Sequence, residues 1–263
     1  MSFFTVNDLT VHYGKQEILS HLSFEAKDSQ TIGILGANGS GKTTLLKAIC
    51  GILSHSGTCT LKGTLLEKKS PKELAKLCSY IPQRSGISID IYVLDTVLMG
   101  CYPHLGILEH PTSSMKKHAL ELIHMVGLGG KENMNYLHLS EGQKQLCILA
   151  RTLITNSKLL LLDEPESALD FHFRYQMLKL IHEWNKTNQS TALISLHDPM
   201  LALNTCDCLL LLSEGRIHAT LHPKTDNLSS MEEKLCHLYG DISLQHCTNK
   251  QGQKQIVMLG ESF

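Results

Sequence analysis

The stretch Thr31-Ile-Gly-Ile-Leu35 runs directly into Gly36-Ala-Asn-Gly-Ser-Gly-Lys-Thr43, and the order of these two segments decides the fold. The first segment is short and apolar, as expected of a buried strand. The second is rich in glycine and is followed by Leu46, Ile49 and Cys50 at helical spacing. A buried strand, a glycine loop and a helix in this order predict a phosphate-binding loop. In such a loop, successive backbone N–H groups and the positive end of the helix hold an anion.

The glycine loop predicts a first set of ligands for a nucleotide. By its pattern the ammonium group of Lys42 binds the β- and γ-phosphates, and the hydroxyl of Thr43 binds Mg²⁺. The bare pattern occurs by chance in roughly one chain of this length in a hundred, and its place between a strand and a helix makes chance rarer still. The alternative is an ordinary glycine turn with a solvated lysine. The other loop residues predicted to bind the nucleotide are Gly36, Asn38, Gly39, Ser40, Gly41 and Thr44.

Two carboxylates follow a second apolar stretch, Leu159-Leu-Leu-Leu162. An acid at the carboxyl end of a strand beside a phosphate loop is placed to bind Mg²⁺, and we assign this role to Asp163. The next residue, Glu164, would face the γ-phosphate and act as general base toward the attacking water. The alternative is a pair of solvated acids at the end of a strand, but the four leucines place these acids at the edge of the core.

The order of the apolar stretches predicts the α/β fold class. The leucine stretch and Thr191–Ser195 are short strands, and a helix is predicted between them over residues 171–184. Strands that alternate with helices form parallel sheets. At the amino end, Phe4–Tyr13 alternates as a strand with a turn near Asp8, and residues 57–66 suggest a strand pair. An antiparallel β region is therefore expected there.

The rest of the chain predicts one insertion and one appendage. Residues from about 86 to 155 are mostly helical in pattern, which indicates an inserted α-helical subdomain. The stretch 223–230 is polar enough to be a linker. The sequence thus predicts a main domain over residues 1–222 and a small carboxyl-terminal appendage over residues 223–263.

Composition excludes several classes of protein. The chain has 263 residues and a formal net charge of −1, so no overall field draws it to nucleic acid, and no such partner is expected. Its nine cysteines lack a CxxC pair, which favours buried thiols in a reducing compartment over a disulfide framework. No apolar run approaches the ~20 residues that span a bilayer, and the amino terminus lacks the pattern of a secretory signal. A cytoplasmic protein is expected.

The fifteen histidines do not predict a metal site by their spacing. His218 and His222 are four residues apart, but they fall in a segment predicted as strand and turn, and no HExxH pattern or Cys/His cluster occurs. We therefore interpret the histidines as scattered core and surface residues.

Further motifs follow one another in an order that resembles one family. They are Tyr13, the phosphate loop, Gln83 in Tyr80-Ile-Pro-Gln83, Leu139-Ser-Glu-Gly-Gln143, Asp163-Glu164, Ser167-Ala-Leu-Asp170 and His197. In these motifs the chain resembles, over most of its length, the nucleotide-binding subunit of an ATP-binding cassette (ABC) transporter. The resemblance implies a P-loop NTPase (RecA-like) core within an ABC ATPase domain over residues 1–222. It also implies that the chain hydrolyses ATP with Mg²⁺.

The resemblance implies roles for three residues that are weak signals alone. Tyr13 would stack on adenine, Gln83 would touch Mg²⁺ and sense a permease, and His197 would contact the γ-phosphate. Taken singly, a tyrosine after a strand is usually a core or surface residue. One histidine among fifteen is not by itself evidence of a contact with phosphate. The expected catalytic residues are thus Lys42, Glu164 and His197.

The segment Ser140-Glu-Gly-Gln143 implies a dimer. In the family this helix start faces the ATP bound by a second subunit, so Ser140, Gly142 and Gln143 would complete a partner's site in a head-to-tail homodimer. The idea has a physical basis, because the amino end of a capped helix offers free N–H groups to a γ-phosphate. Asp170, in the loop after the carboxylates, would carry contacts across the same dimer.

Three positions depart from the family pattern. Glu141 stands where Gly is common, and a carboxylate about 8 Å from a phosphate would repel it by roughly 2 kcal/mol at an effective dielectric of 20. A solvated first-turn acid is the simpler interpretation, because it gains about 0.3–1 kcal/mol from the helix dipole. The alternative is that Glu141 weakens closure of the dimer. Glu166 replaces the usual Thr without a predicted role, and Cys101 replaces an Arg that related importers tend to have.

Three stretches resemble ATPases of importers for iron-siderophore, haem and cobalamin. They are Ser70-Pro-Lys-Glu-Leu-Ala-Lys76, Val93-Leu-Asp-Thr-Val-Leu-Met-Gly100 with Tyr102-Pro-His104, and Leu238-Tyr-Gly-Asp241 followed by Gln255-Ile-Val-Met258. The middle stretch is shared with zinc and manganese importers, which remain an alternative. A soluble ABC ATPase in iron–sulfur cluster assembly is a rival, and a small-molecule kinase is disfavoured because it would not need the Leu139 motif.

An importer implies partners and a location. The implied partners are a transmembrane permease, which would dock after Gln83 at about residues 86–106, and indirectly an extracytoplasmic substrate-binding protein. The subunit itself would lie on the cytoplasmic face of the cell membrane.

Overall fold

The computed structural model describes residues 2–83, 86–167 and 169–261. The strands are β1 (Phe4–Tyr13), β2 (Gln16–Ala26), β3 (Thr31–Leu35), β4 (Ser56–Leu61), β5 (Thr64–Leu65), β6 (Cys78–Ile81), β7 (Leu159–Asp163), β8 (Thr191–Ser195), β9 (Cys208–Ser213), β10 (Arg216–Leu221), β11 (Ile242–Thr248) and β12 (Lys254–Gly260). The α-helices are α1 (Lys42–Ile49), α2 (Pro71–Leu77), α3 (Val93–Leu98), α4 (Ser113–Met125), α5 (Glu141–Leu153), α6 (Phe171–Asn188), α7 (Pro199–Thr205) and α8 (Leu228–Tyr239). Short 3₁₀ helices lie at Leu66–Lys68, Met99–His104 and Tyr136–His138.

The central sheet brings the carboxyl ends of parallel strands to one edge. Its order is β10-β9-β3-β8-β7-β6, in which β10 is antiparallel to β9 and the other neighbours are parallel. All residues of β3, β7 and β8 are buried, as their continuous apolar sequences predict. In the β7–β8 register, Asp163 is level with Ser195. The predicted α/β class with a parallel core is confirmed, and the ends of β7 and β8 meet beside the loop after β3.

A second sheet, with the order β2-β1-β4-β5, forms the predicted antiparallel region. It packs with Leu46 of α1 and Leu161 of β7 in one hydrophobic cluster. The turn predicted near Asp8 is wrong, because β1 continues through this residue. Asp8 has a φ of 54°, and the pairing of β1 with β2 shifts register between Val6 and Leu9. A β-bulge therefore takes up the residues that break the alternation.

The inserted helical region contains α3, α4 and α5. Val97, Ile123 and Leu149, one from each helix, are fully buried in a single hydrophobic cluster. The helix α5 begins at the predicted capping box, in which Ser140 Oγ accepts a hydrogen bond from the Gln143 N–H at 3.3 Å and Gln143 Oε1 accepts one from the Ser140 N–H at 3.2 Å. These reciprocal bonds fix where α5 starts.

The carboxyl-terminal elements, α8 and the β11–β12 hairpin, pack against the main body. Met231, Leu235 and Leu244 are buried in the same hydrophobic cluster as the central sheet. Asn204 of α7 bonds twice to the backbone of Ile256, donating to its carbonyl oxygen and accepting from its N–H, each at 2.8 Å. The division at residue 222 stays a prediction, and these contacts tie the segment after it to the sheet.

Two expectations about the whole chain concern its thiols and its helices. The nine cysteines are free thiols, and six of them are buried: Cys59, Cys78, Cys101, Cys147, Cys206 and Cys208. Buried thiols are what the cysteine spacing predicts. In the part of the chain that the structure describes, no helix has the length and apolar character needed to cross a bilayer.

Candidate nucleotide site

The phosphate loop is shaped by glycines at two close approaches. A Cβ on Gly36 would lie 2.2 Å from the carbonyl oxygen of Leu212, and one on Gly41 would lie 2.4 Å from Leu19 Cδ2. Gly41 is also the N-cap of α1, with a φ of 105° in the left-handed region that favours glycine. The loop therefore lies tightly between β9 and β2, with the amino end of α1 at its base, as a phosphate-binding loop requires.

Lys42 is buried at this loop, with 5% of its surface exposed. Its Nζ donates hydrogen bonds to the carbonyl oxygens of Gly36 at 2.8 Å and Ala37 at 3.3 Å. Burial lowers the pKa of Lys42, and nearby carboxylates, that of Glu164 first, oppose this shift. The ammonium group is thus held inside the loop, where a bound phosphate would meet it.

Asp163, the last residue of β7, joins the loop to the sheet edge. Its Oδ1 accepts hydrogen bonds from Thr43 Oγ1 at 3.0 Å and from Ser195 Oγ at 2.8 Å, and its Oδ2 accepts one from the Tyr80 hydroxyl at 3.2 Å. Neighbouring oxygens in octahedral Mg²⁺ coordination lie about 2.9 Å apart. Thr43 Oγ1 and Asp163 Oδ1 therefore have the separation and chemistry of two adjacent Mg²⁺ ligands.

Both carboxylate oxygens of Glu164 are engaged. His197 Nε2 lies 2.7 Å from Oε1, and Gln83 Nε2 donates to Oε2 at 2.5 Å. Glu164 has a φ of 49°, which costs a non-glycine residue about 1–2 kcal/mol, and its N–H donates to Ser195 Oγ at 2.9 Å. The strained backbone and the two side-chain partners fix the direction of this carboxylate.

The central hydroxyl of this arrangement, Ser195 Oγ, was not among the predicted site residues. It donates to Asp163 and accepts from the backbone of Glu164. Its position at the carboxyl end of an apolar strand was an available signal, because the ends of neighbouring parallel strands meet. Gln145 of α5 was also missed: its Nε2 donates to the carbonyl oxygen of Gln83 at 3.1 Å. The pattern of α5 gave no signal for that bond.

Glu166 lies behind the site. Its carboxylate is buried, with Oε1 at 3.4 Å from the His197 N–H and Oε2 without a hydrogen-bond partner among the described residues. Burial raises the pKa of Glu166, although the nearby N–H groups and His197 oppose the shift. This departure from the family pattern therefore places an ionisable group against the backbone of His197.

Tyr13 and the tip of the phosphate loop are exposed. Tyr13 ends β1, is half exposed, and pairs with Gln16 of β2, the strand that contacts Gly41. Asn38 and Gly39 are exposed at the loop tip, whereas Ser40 and Thr44 are buried beneath it. An aromatic face is therefore open on the side of the loop formed by the antiparallel sheet.

The residues assigned to a partner's site make their hydrogen bonds elsewhere. Ser140 and Gln143 bond to each other, Gly142 lies in the same helical turn, and Asp170 caps α6 by accepting from the Phe173 N–H at 3.1 Å. None of the four hydrogen-bonds to the phosphate loop within the ranges the structure describes. Ala168, which stands in the same motif as Asp170, lies outside those ranges.

The other two positions that depart from the family pattern are Glu141, which is exposed, and Cys101, which is buried. The Glu141 side chain is 75% exposed and pairs with Lys144 Nζ at 2.7 Å. That pairing and water screen its charge, which favours the interpretation as a solvated first-turn acid. Cys101 is buried in the hydrophobic cluster of the helical region. Its thiol thus serves as a small apolar side chain there.

Comparison with known proteins decides the family. The model of the ABC transporter family matches residues 19–167, a span that holds the phosphate loop, the α5 cap, Asp163 at the end of β7 and Glu164 after it. The chain belongs to the ABC transporter family. It binds ATP, and as the ATP-binding subunit of such a transporter it is an ATPase.

Individual relatives are similar over most of their length. An iron chelatin transport ATP-binding protein of Helicobacter pylori is 35% identical over 215 residues, which cover 81% of this chain and 84% of that protein. A hemin import ATP-binding protein of Deinococcus radiodurans is 36% identical over 223 residues, with coverages of 83% and 84%. A chain from the structure of an inward-facing, metal-chelate type ABC transporter has a TM-score of 0.82 and 25% identity, with coverages of 100% and 99%.

Removing the Ser195 hydroxyl should slow ATP hydrolysis. In Ser195→Ala both Asp163 and the backbone of Glu164 lose a partner, and hydrogen bonds to charged groups are worth about 1.5–3 kcal/mol. We expect the kcat of the purified subunit to fall about 10- to 100-fold. The matched control is Ser20→Ala, which removes a buried hydroxyl that has no hydrogen-bond partner in the described part of the chain. Unchanged turnover in Ser195→Ala would contradict this assignment.

Neutralising Glu166 should make stability less dependent on pH. Because the pKa of Glu166 is raised on folding, the unfolded chain ionises first as pH rises above about 4.5, and wild-type stability falls through that window. Glu166→Gln should therefore melt about 2–4 °C higher at pH 7.5, the shift that about 1 kcal/mol produces in a chain of this size. The gain should vanish near pH 4.5 in thermal unfolding followed by circular dichroism. Exposed Glu25→Gln is the control, and a gain that is independent of pH would refute the mechanism.

Proposed function

We propose that this subunit powers import of an iron chelate (siderophore), haem or cobalamin through a separately encoded permease, from the cytoplasmic face of the cell membrane. Two kinds of similarity support this cargo class. The relatives described above act on iron chelatin and hemin, and the similar structure belongs to a metal-chelate transporter. An extracytoplasmic substrate-binding protein would deliver the cargo, which never touches this chain.

The observation that carries the mechanism is the engagement of Glu164 by His197 and Gln83 next to the Asp163–Thr43 pair. Lys42 neutralises charge that develops on the β- and γ-phosphates. Glu164 orients the attacking water and accepts its proton. His197 holds the γ-phosphate.

A Mg²⁺ ion fits the oxygen ligands of this site. When bound, it would supply positive charge to the phosphate oxygens. Thr43, Asp163 and Gln83 are the residues that would hold it. Thr43 and Asp163 have the oxygen separation described above, and Gln83 offers an amide oxygen from the loop after β6.

A head-to-tail homodimer would complete the site. Ser140, Gly142 and Gln143 lie at the amino end of α5, where Ser140 is exposed and the helix dipole favours an anion. Because this helix end makes no hydrogen bond to the phosphate loop of its own chain among the described residues, a second copy would be the source of the nucleotide it faces. Asp170 would contact the same partner from the cap of α6.

The dimer predicts a specific pair of variants. Glu164→Gln should bind MgATP without hydrolysing it and change from monomer to dimer, measured by light scattering after size exclusion. Adding Gly142→Asp should keep the protein monomeric, because a carboxylate at the helix end repels the γ-phosphate. The matched control adds Glu141→Gln instead, which changes an exposed side chain one residue away and should preserve the dimer. A Glu164→Gln protein that stays monomeric at saturating MgATP would refute the proposal.

The permease is proposed to dock after Gln83. The predicted dock, residues 86–106, includes Ile89, Tyr92 and Tyr102, which are 57% to 60% exposed, and Ile107 and Leu108 just after it are 100% and 91% exposed. Large exposed apolar side chains in one stretch of chain are typical of a protein contact. The Gln145–Gln83 bond joins the helical region behind this surface to the residue that holds Glu164.

Recovery of the native complex tests both dock and cargo. Purification of the tagged subunit from its own membranes should bring down a many-helix permease, with an iron chelate, haem or cobalamin as the molecule that stimulates ATP hydrolysis. Tyr102→Arg should reduce permease recovery at least tenfold, while Leu259→Arg, an equally simple change on exposed β12, should not. A permease that responds to free zinc or manganese would contradict the cargo class. A soluble subunit that never recovers a permease would contradict transport and favour an assembly ATPase.

A further inference from the structure

Three different metal-ligating side chains meet on the antiparallel sheet, away from the nucleotide site. His55 precedes β4, Cys59 lies within β4, and Glu67 lies in the 3₁₀ helix that follows β5. One ligand atom from each, a ring nitrogen, the thiol sulfur and a carboxylate oxygen, lie within 4.8 Å of one another. Imidazole, thiolate and carboxylate are together the ligand set of zinc and related divalent transition metals.

The hydrogen bonds of this cluster leave a ring nitrogen of His55 free to bind an ion. His55 Nδ1 lies 3.0 Å from the carbonyl oxygen of Ser56, which fixes the proton on Nδ1 and leaves the lone pair on Nε2. His55 Nε2 lies 3.7 Å from Glu67 Oε1, too far for a hydrogen bond. Ligands in tetrahedral zinc sites lie about 3.3–3.6 Å apart, so a small relaxation admits a shared cation.

Burial and backbone bonding make the cluster a built site. The His55 side chain is 7% exposed and that of Cys59 is fully buried, while Glu67 is 30% exposed and opens to solvent. The Cys59 N–H donates to Glu67 Oε1 at 2.5 Å, which orients the carboxylate across the sheet edge. Two buried ligands and one accessible ligand describe a site that an ion can enter from outside.

The cluster borders a cavity of about 470 Å³. His55 and Glu67 line it, together with Cys50 at the end of α1 and Tyr80 of β6. The cavity provides room for water or a small ligand at a fourth coordination position. Tyr80 also donates to Asp163, so the same cavity wall contacts the nucleotide site.

We propose that His55, Cys59 and Glu67 form a binding site for one divalent transition-metal ion of the zinc class, with an open fourth position toward the cavity. The site is separate from the Thr43–Asp163 pair and differs from it in chemistry, because it offers an imidazole and, once the bound ion displaces the proton of Cys59, a thiolate. Softer ions such as Zn²⁺ and Co²⁺ are therefore preferred over Mg²⁺. The proposal does not depend on the cargo of the transporter.

Cobalt titration of the full chain tests the site. Metal-free reduced protein without nucleotide is titrated with Co²⁺, and we expect one ion per chain with an absorption band for Co²⁺–thiolate charge transfer. None of the residues assigned to the nucleotide site is a cysteine, so the band does not arise there, and its loss in Cys59→Ser assigns it to the new site among the nine free thiols. Added Zn²⁺ should abolish the band by displacement, whereas millimolar Mg²⁺ should leave it unchanged.

Three variants and one matched control make the outcome decisive. Cys59→Ser should abolish the band, and His55→Gln and Glu67→Gln should each weaken Co²⁺ binding at least tenfold. Cys208→Ser changes another buried cysteine in a strand and should keep both band and affinity. Retained ATP binding shows that each variant is folded, and Glu67→Gln, at an exposed position, keeps the test valid if a buried variant fails to fold. A wild-type chain without the band, or a band that survives Cys59→Ser, would overturn the proposal.

Discussion

One hydroxyl group, Ser195 Oγ, holds the arrangement on which the site depends. It bonds to the Asp163 carboxylate and to the backbone N–H of Glu164, and it lies at the end of β8 because β7 and β8 are parallel and in register there. The acid proposed to bind the cation and the acid proposed to activate water are consecutive residues with different tasks. A single neighbour on the next strand fixes the side chain of one and the main chain of the other. Positions of charged groups thus follow from sheet register.

Much of this could be predicted from the sequence because the signals are local. The glycine loop between a strand and a helix, the Ser140–Gln143 capping box and the leucine stretch that ends in two acids each depend on residues a few positions apart. Local steric and hydrogen-bonding rules determine such features. Local signals do not distinguish the β-bulge at Asp8 from the turn that the sequence predicts there. Both interrupt an alternating pattern, and the cross-strand pairing that distinguishes them is not local.

The features that sequence reasoning missed depend on contacts between distant residues. Ser195 and Asp163 are 32 residues apart, and Gln145 and Gln83 are 62 apart. The His55, Cys59 and Glu67 cluster is closer in sequence, but its spacing matches no motif, because the turn of β4 into β5 and the following 3₁₀ helix bring the ligands together. The sequence shows that Glu166 departs from the family pattern, but only the folded chain shows that it is buried against the backbone of His197.

The hydrogen bond from Gln145 to Gln83 connects α5 to the nucleotide site. Gln145 follows Ser140 by little more than one helical turn, so the two move together on a rigid rod. If a neighbouring chain displaced the amino end of α5, the displacement would reach the carbonyl of Gln83, and the side-chain amide of Gln83 donates a hydrogen bond to Glu164. A contact made by a second molecule at the amino end of α5 would therefore be connected, through two hydrogen bonds, to the carboxylate proposed to activate water.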